Sequence, residues 1–188
     1  SSDLLKVDFE TNLLTCEKCD LHQHREQVVI GSGETPADIL FVGECPGESE
    51  EKKQIPYVGK SGKLLRRLIK DTPISEDVCY FTNIVKCNPF NARDPFPWEI
   101  DNCLPHLVTQ VKYVVHPKII VGIGNIICNY LSKPHSYVLY REHGKILDIS
   151  GGIKFIGIID PYKALEDSAI EDLLIKDLKL VLNLWKSL

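Results

Sequence analysis

The apolar residues of this chain fall into short unbroken runs, separated by longer stretches in which they recur every three or four positions. The run ADILFVGE (37–44) is bounded by turn residues, as a buried strand should be, and VCYFTNIVKC (78–87), KIIVGIG (118–124) and IKFIGIID (153–160) predict three more strands. Between them, SGKLLRRLIK sets Leu64, Leu65, Leu68 and Ile69 on one helical face, with Ser61 as its N-cap. A second helix is predicted over 97–115, opened by prolines and interrupted at Pro105, and a long amphipathic helix closes the chain over 166–188. Continuous apolar strands alternating with helices argue for a parallel sheet covered on both faces. The expected fold is α/β: a three-layer α/β/α sandwich around a central four-stranded parallel sheet. In such sheets ligands bind at the carboxyl ends of the strands, which puts the loops after Val42, Asn83 and Ile159 on one functional edge.

Length adds a bound. At 188 residues the chain is the size of one domain, expected to run over 1–188, with a core large enough to need no staples. No apolar run approaches the roughly 18 residues of a membrane span, and the opening SSDLLKVDFE is acidic rather than a signal peptide, so a cytoplasmic protein without membrane contact is expected. The sequence contains no methionine, which predicts a processed chain or a piece of something longer. The net charge of -4 argues against a generally basic nucleic-acid binder. The charge is uneven, however: Lys52, Lys53, Lys60, Lys63, Arg66, Arg67 and Lys70 follow one another with no acid between them. They form either a solvated helix face or a stripe that meets phosphates.

The segment GECPGESEEKKQIPYVGKSG, Gly43 to Gly62, crowds glycines, prolines, acids and lysines into one loop. A phosphate-binding G-x-x-x-x-G-K-[ST] loop would need glycine where Gln54 stands. A dinucleotide fingerprint in VGIGNIIC fails as well, because Ile127 occupies the place of the third glycine.

Seven cysteines without a signal sequence point to thiols or metal ligands rather than disulfides. Cys16 and Cys19 have the C-x-x-C spacing that lets two thiolates grip one metal or cluster edge, in a polar stretch beside Lys18, Asp20 and His22. Cys87 and Cys103 stand far downstream, where a free cysteine is also a common small core residue. A four-cysteine zinc site usually uses two close pairs, whereas a [4Fe-4S] cluster does not demand them. Cys45, Cys79 and Cys128 read as packing residues.

Taken together, the loop and the order of the cysteines resemble the iron-sulfur uracil-DNA glycosylases, family 4 of their superfamily, over about Leu14 to Leu165. The family signature is close to G-E-A-P-G-x-x-E-D-x-x-G-x-P-F-V-G-x-A-G-x-L-L. Matching it are Gly43, Glu44, Pro46, Gly47, Glu50, Pro56, Val58, Gly59, Gly62, Leu64 and Leu65. TNIVKCNP, CLPHLVTQV and the HGK turn at His143 to Lys145 are similar to further family motifs. The resemblance implies a [4Fe-4S] cluster on Cys16, Cys19, Cys87 and Cys103, tying the N-terminal segment to the middle of the chain. It implies a base swung out of DNA into a pocket, because a stacked base is out of reach of a protein group. Tyr57, at the family's Phe position, would stack on uracil in a pocket with Gly43; Asn83 would bond the base's Watson–Crick edge; Glu44 would position water at the sugar. The activity implied is hydrolysis of the N-glycosidic bond of uracil in single- or double-stranded DNA, as in base excision repair, by a monomer or by one domain of a larger replication or repair protein, in a nucleoid or a viral or phage setting.

One motif departs. Where the family has H-P-S-x-L-L-R, this chain has DPYKALE, with Asp160 for the His and Glu166 for the Arg. An ionised carboxylate about 4 Å from a developing anion costs about 4 kcal/mol at an effective dielectric of ~20, roughly a thousandfold in rate. A protonated Asp160 would instead donate a hydrogen bond. The alternative function is a glycosylase fold with weak or no base excision that binds nucleic acid within a larger protein.

Overall fold

In the computed structural model, which describes residues 2–188, the four apolar runs form strands β1 (Ile39–Gly43), β2 (Cys79–Asn83), β3 (Ile119–Ile123) and, after a short β4 (Ile146–Asp148), β5 (Lys154–Ile158). The sheet order is β2-β1-β3-β5-β4. Strands β2, β1, β3 and β5 are parallel, as expected, and β4 adds an antiparallel edge that the pattern did not predict. Only three residues long and half exposed, β4 has neither the apolar run nor the length that marks a strand.

Alternation along the strands divides the core in two. Leu40, Val42, Ile120 and Phe155 face Phe9 and Leu13 of α1 (Ser2–Leu14), while Ile39, Phe41, Val121 and Ile156 face the opposite layer. Between β1 and β2 lie α2 (Glu48–Lys53) and α3 (Lys60–Asp71). The first face is completed by α4 (Pro97–Gln110), which supplies Ile100 and Leu107, and by α5 (Asn125–Leu131) with α6 (Leu139–Glu142). The second is covered by α3, by α7 (Pro161–Ala164) and by Leu174, Leu178 and Val181 of α8 (Ser168–Ser187). Each such side chain, fully buried, contributes about 1.5–3 kcal/mol by leaving water, so both helical layers are fixed to the sheet by apolar area.

Local details differ from expectation. Gly59 rather than Ser61 caps α3, because the Glu50 carboxylate already takes the Gly59 N–H at 2.7 Å and sets the entry angle. Pro105 does not interrupt α4. It sits on the exposed side with Asp101, whose carbonyl loses its helical donor, while Cys103, Leu107 and Gln110 stay buried on the other side. Beyond Gln110 the helix widens into a π-turn (Val111–Val115), closed by His116 in the left-handed region. The basic stripe is partly neutralised: Arg67 pairs with Glu171 and Asp71, Lys52 with Glu48, and Arg66 with Glu76.

Candidate active site

Parallel register sets Gly43 beside Asn83 at the carboxyl edge of the sheet. Into that edge runs the loop after β1. Glu50 accepts hydrogen bonds from the Val58 and Gly59 N–H groups at 3.0 and 2.7 Å. The Arg66 guanidinium donates to the carbonyls of Pro56 and Tyr57, both at 3.2 Å, and lies 4.2 Å from the Phe81 ring centroid. These contacts hold Tyr57 at φ 60°, a left-handed conformation that costs a non-glycine residue free energy and persists only where the surroundings impose it. The Tyr57 ring then meets the Phe81 ring edge-on at 5.9 Å.

Gly43 is there for space. A Cβ at that position would lie 2.1 Å from the Tyr57 hydroxyl oxygen and 2.6 Å from Asn83 Oδ1, so no other residue lets the three groups meet. The Tyr57 hydroxyl is the one buried side-chain polar atom among the described residues that has no hydrogen-bond partner. Burial, with the charges of Asp160 and Glu44, pushes its acid constant far up, and the group stays an O–H donor.

Glu44 follows directly. Its Oε1 accepts from the Ile126 N–H at 3.1 Å at the start of α5, and Gly124 leaves room for it, since a Cβ there would approach to 2.7 Å. Burial raises the Glu44 carboxyl to about 7 against the pull of that hydrogen bond, and the charges of Asp160 and Asp94 add to the rise. Asp160 caps α7 by accepting from the Tyr162 N–H at 2.8 Å; burial raises it too, with Asp94 contributing. Cys45, read from sequence as packing, is half-buried at this edge and raised to about 12 by desolvation and the nearby Glu44. Gly43, Glu44, Tyr57, Asn83 and Asp160 are thus brought together on one edge.

The four predicted cysteine ligands also converge. Cys16 and Cys19 after α1, Cys87 after β2 and Cys103 on α4 line one narrow cavity with Arg25 and Lys86. All four are free thiols. Arg25 Nη1 donates to Cys87 Sγ at 3.4 Å, and His106 Nε2 lies 3.3 Å from Cys16 Sγ. Among the described residues no three His, Cys, Asp or Glu side chains form a group that could hold a metal ion.

The Uracil DNA glycosylase superfamily model matches residues 30–171. The chain is 34% identical to a type-4 uracil-DNA glycosylase of Archaeoglobus fulgidus over 82% of its own length and 79% of that protein's. It is 44% identical to one from Sulfurisphaera tokodaii over 65% of this chain and 56% of the relative. The chain belongs to the uracil-DNA glycosylase superfamily. A DNA polymerase of Bacillus phage SP01 is also similar, 34% identical over 82% of this chain but only 16% of the polymerase. The superfamily match spans every strand and the whole acidic edge, including Cys87 and Cys103, while Cys16 and Cys19 precede it.

Several residues at this edge and at the cysteine cavity carried no role in the sequence pattern. Asp94 charges the edge from the loop before α4, and Arg93 pairs with the buried Glu99 through two hydrogen bonds of 2.8 and 2.6 Å. Lys86 is wholly buried, its Nζ bonded to Gln110 Oε1 at 2.6 Å and to Thr82 Oγ1, and burial lowers it to about 7. A lysine inside an apolar run was the available signal for Lys86; Asp94 and Arg93 gave none.

Proposed function

We propose that this protein is a uracil-DNA glycosylase that hydrolyses the N-glycosidic bond of a uracil swung out of DNA. The observation that carries the reading is the meeting of Tyr57, Asn83 and Glu44 around Gly43 in a member of the superfamily. Tyr57 offers a ring face for the base, and Asn83 offers an amide for its Watson–Crick edge. As the bond from the sugar C1′ to uracil N1 breaks, its electron pair leaves with uracil, and the cationic sugar is captured by water. Glu44 orients that water and takes its proton, a task suited to a carboxylate whose acid constant of about 7 leaves it partly ionised at neutral pH. A fixed donor, the Asn83 amide, stabilises the departing anion, and Asp160 would join it where it holds a proton, the form toward which burial shifts it.

Cys16, Cys19, Cys87 and Cys103 would hold a [4Fe-4S] cluster. A four-cysteine zinc site usually uses two close pairs, and here only Cys16 and Cys19 form one; a cluster gives each thiolate its own iron, which suits four thiols from separate segments lining one cavity. When bound, the cluster supplies a covalent cross-link between the N-terminal segment and α4. Arg25 and His106 would orient the thiolates at Cys87 and Cys16.

The test is uracil release from a single-stranded, uracil-containing oligonucleotide by excess protein, followed for long enough to catch a thousandfold-slow enzyme. Release that Tyr57→Ala abolishes is expected. Asp160 in place of the family's His favours the second reading, a nucleic-acid-binding module, and DNA binding without release would establish that reading instead.

A further inference from the structure

The segment from Arg93 to Trp98 carries an aromatic column that the base pocket does not use. Phe96 and Trp98 stack at 4.5 Å between centroids with 18° between their planes, and the Arg93 guanidinium lies 3.9 Å from the Phe96 centroid. A ring and a guanidinium at those separations cannot share one face of Phe96, so the order is Arg93, Phe96, Trp98. Glu99, almost fully buried, pins Arg93 through its two hydrogen bonds and accepts from the Phe96 N–H at 2.7 Å. The column is therefore rigid before anything binds. Its far end is open, for Trp98 is 55% exposed.

An exposed indole held rigid costs solvent contact, and what would cover it is indicated by its place. Asp94, two residues before Phe96, is close enough to the acidic edge to raise Glu44, Cys45 and Asp160. Lys163, whose charge also reaches Glu44, lies 4.4 Å from the centroid of the exposed Tyr140 ring. Exposed rings alternating with cations beside a base pocket suit a strand whose bases are free to stack while its phosphates meet ammonium groups. Duplex bases already have stacking partners and gain nothing from Trp98.

We propose that Trp98 is a stacking platform for a nucleotide flanking the extruded base, making single-stranded DNA the preferred strand form. That the stacked nucleotide flanks an extruded base rests on the glycosylase reading; the preference for a single strand does not. The test uses a uracil-free oligothymidylate, so that binding is read whether or not the protein excises bases. Affinity of the full chain is measured by fluorescence anisotropy of the labelled oligonucleotide, and of a duplex of the same length, at fixed salt. The wild type should prefer the single strand, and Trp98→Ala should weaken single-strand binding about tenfold, in the range of one lost base–aromatic stack. Trp98→Phe should retain most of the affinity, which a misfolded protein would not, and duplex binding should be unchanged. The proposal is overturned if the wild type fails to bind the single strand or prefers the duplex, or if Trp98→Ala binds as the wild type does. A protein that binds as described yet releases no uracil from the other substrate would sink the glycosylase reading and leave the platform standing.

Discussion

Glu44→Gln removes one charge from the acidic edge while keeping the acceptor that the Ile126 N–H uses. In the fold the carboxyl titrates near 7 rather than its ordinary 4.5, so ionising it there costs about 3 kcal/mol more than in the unfolded chain. Solvent reaches this half-buried group, and the usable difference is about 2 kcal/mol. The sign follows from the direction of the change. A raised acid constant stabilises the fold fully below pH 4.5, where both states are protonated, and that contribution is lost as pH rises through about 7. Glutamine has no such dependence. The thermal midpoints of variant and wild type should therefore coincide near pH 4.5 and separate as pH rises, the variant melting about 4–8 °C higher at pH 8.5 for a chain of this size. Uracil release moves the other way: it should be lost in the variant, and in the wild type should rise with pH through about 7 as Glu44 ionises. A midpoint gap that stays constant with pH, or a wild type that gains on the variant in alkali, would refute the burial argument. The same substitution thus separates what Glu44 costs the fold from what it does for the reaction.

Tyr57→Phe deletes the unpartnered buried hydroxyl and should stabilise the free protein by about 1 kcal/mol, read as a higher midpoint in thermal melting; a lower midpoint would mean that the hydroxyl has a partner. Asp160→His should speed uracil release at pH 8 by up to about a thousandfold, at the expense of about 1 kcal/mol from the lost cap on Tyr162 N–H; unchanged single-turnover rates would remove Asp160 from the reaction. Cys87→Ser should give a protein without the brown absorbance of an iron-sulfur cluster and with its N-terminal helix open to proteolysis, and retained colour at full iron content would show that Cys87 is not a ligand.

The sequence announces the sheet through β1, β2, β3 and β5 because all four are buried on both faces and therefore read as unbroken apolar runs. It does not announce α2, six residues without an apolar period. That helix is held by tertiary polar contacts: Glu50 to the Val58 and Gly59 N–H groups, and Glu51 to the Glu26 N–H and the Asn88 amide. The same division runs through the site. Gly43, Glu44, Tyr57 and Asn83 can be picked out because the motif places them in order, yet only the fold explains why position 43 must lack a Cβ.

Asp160 shows why the departure from the family motif is less damaging than a charge count suggests. Read along the chain, a carboxylate stands where the family has an imidazole. In the fold that carboxylate is half-buried, caps α7 through one oxygen and faces Glu44 and Asp94, all of which leave it short of solvation and next to like charge. Such surroundings favour protonation of one member of the group. A proton kept on Asp160 turns the repulsive residue into a donor, and one kept on Glu44 removes the base, so the activity of this edge depends on which acid holds it. Burial raises Glu44 to about 7, so excision is lost on the acid side as Glu44 takes up its proton, and Asp160 helps the reaction only where it keeps its own proton while Glu44 gives one up.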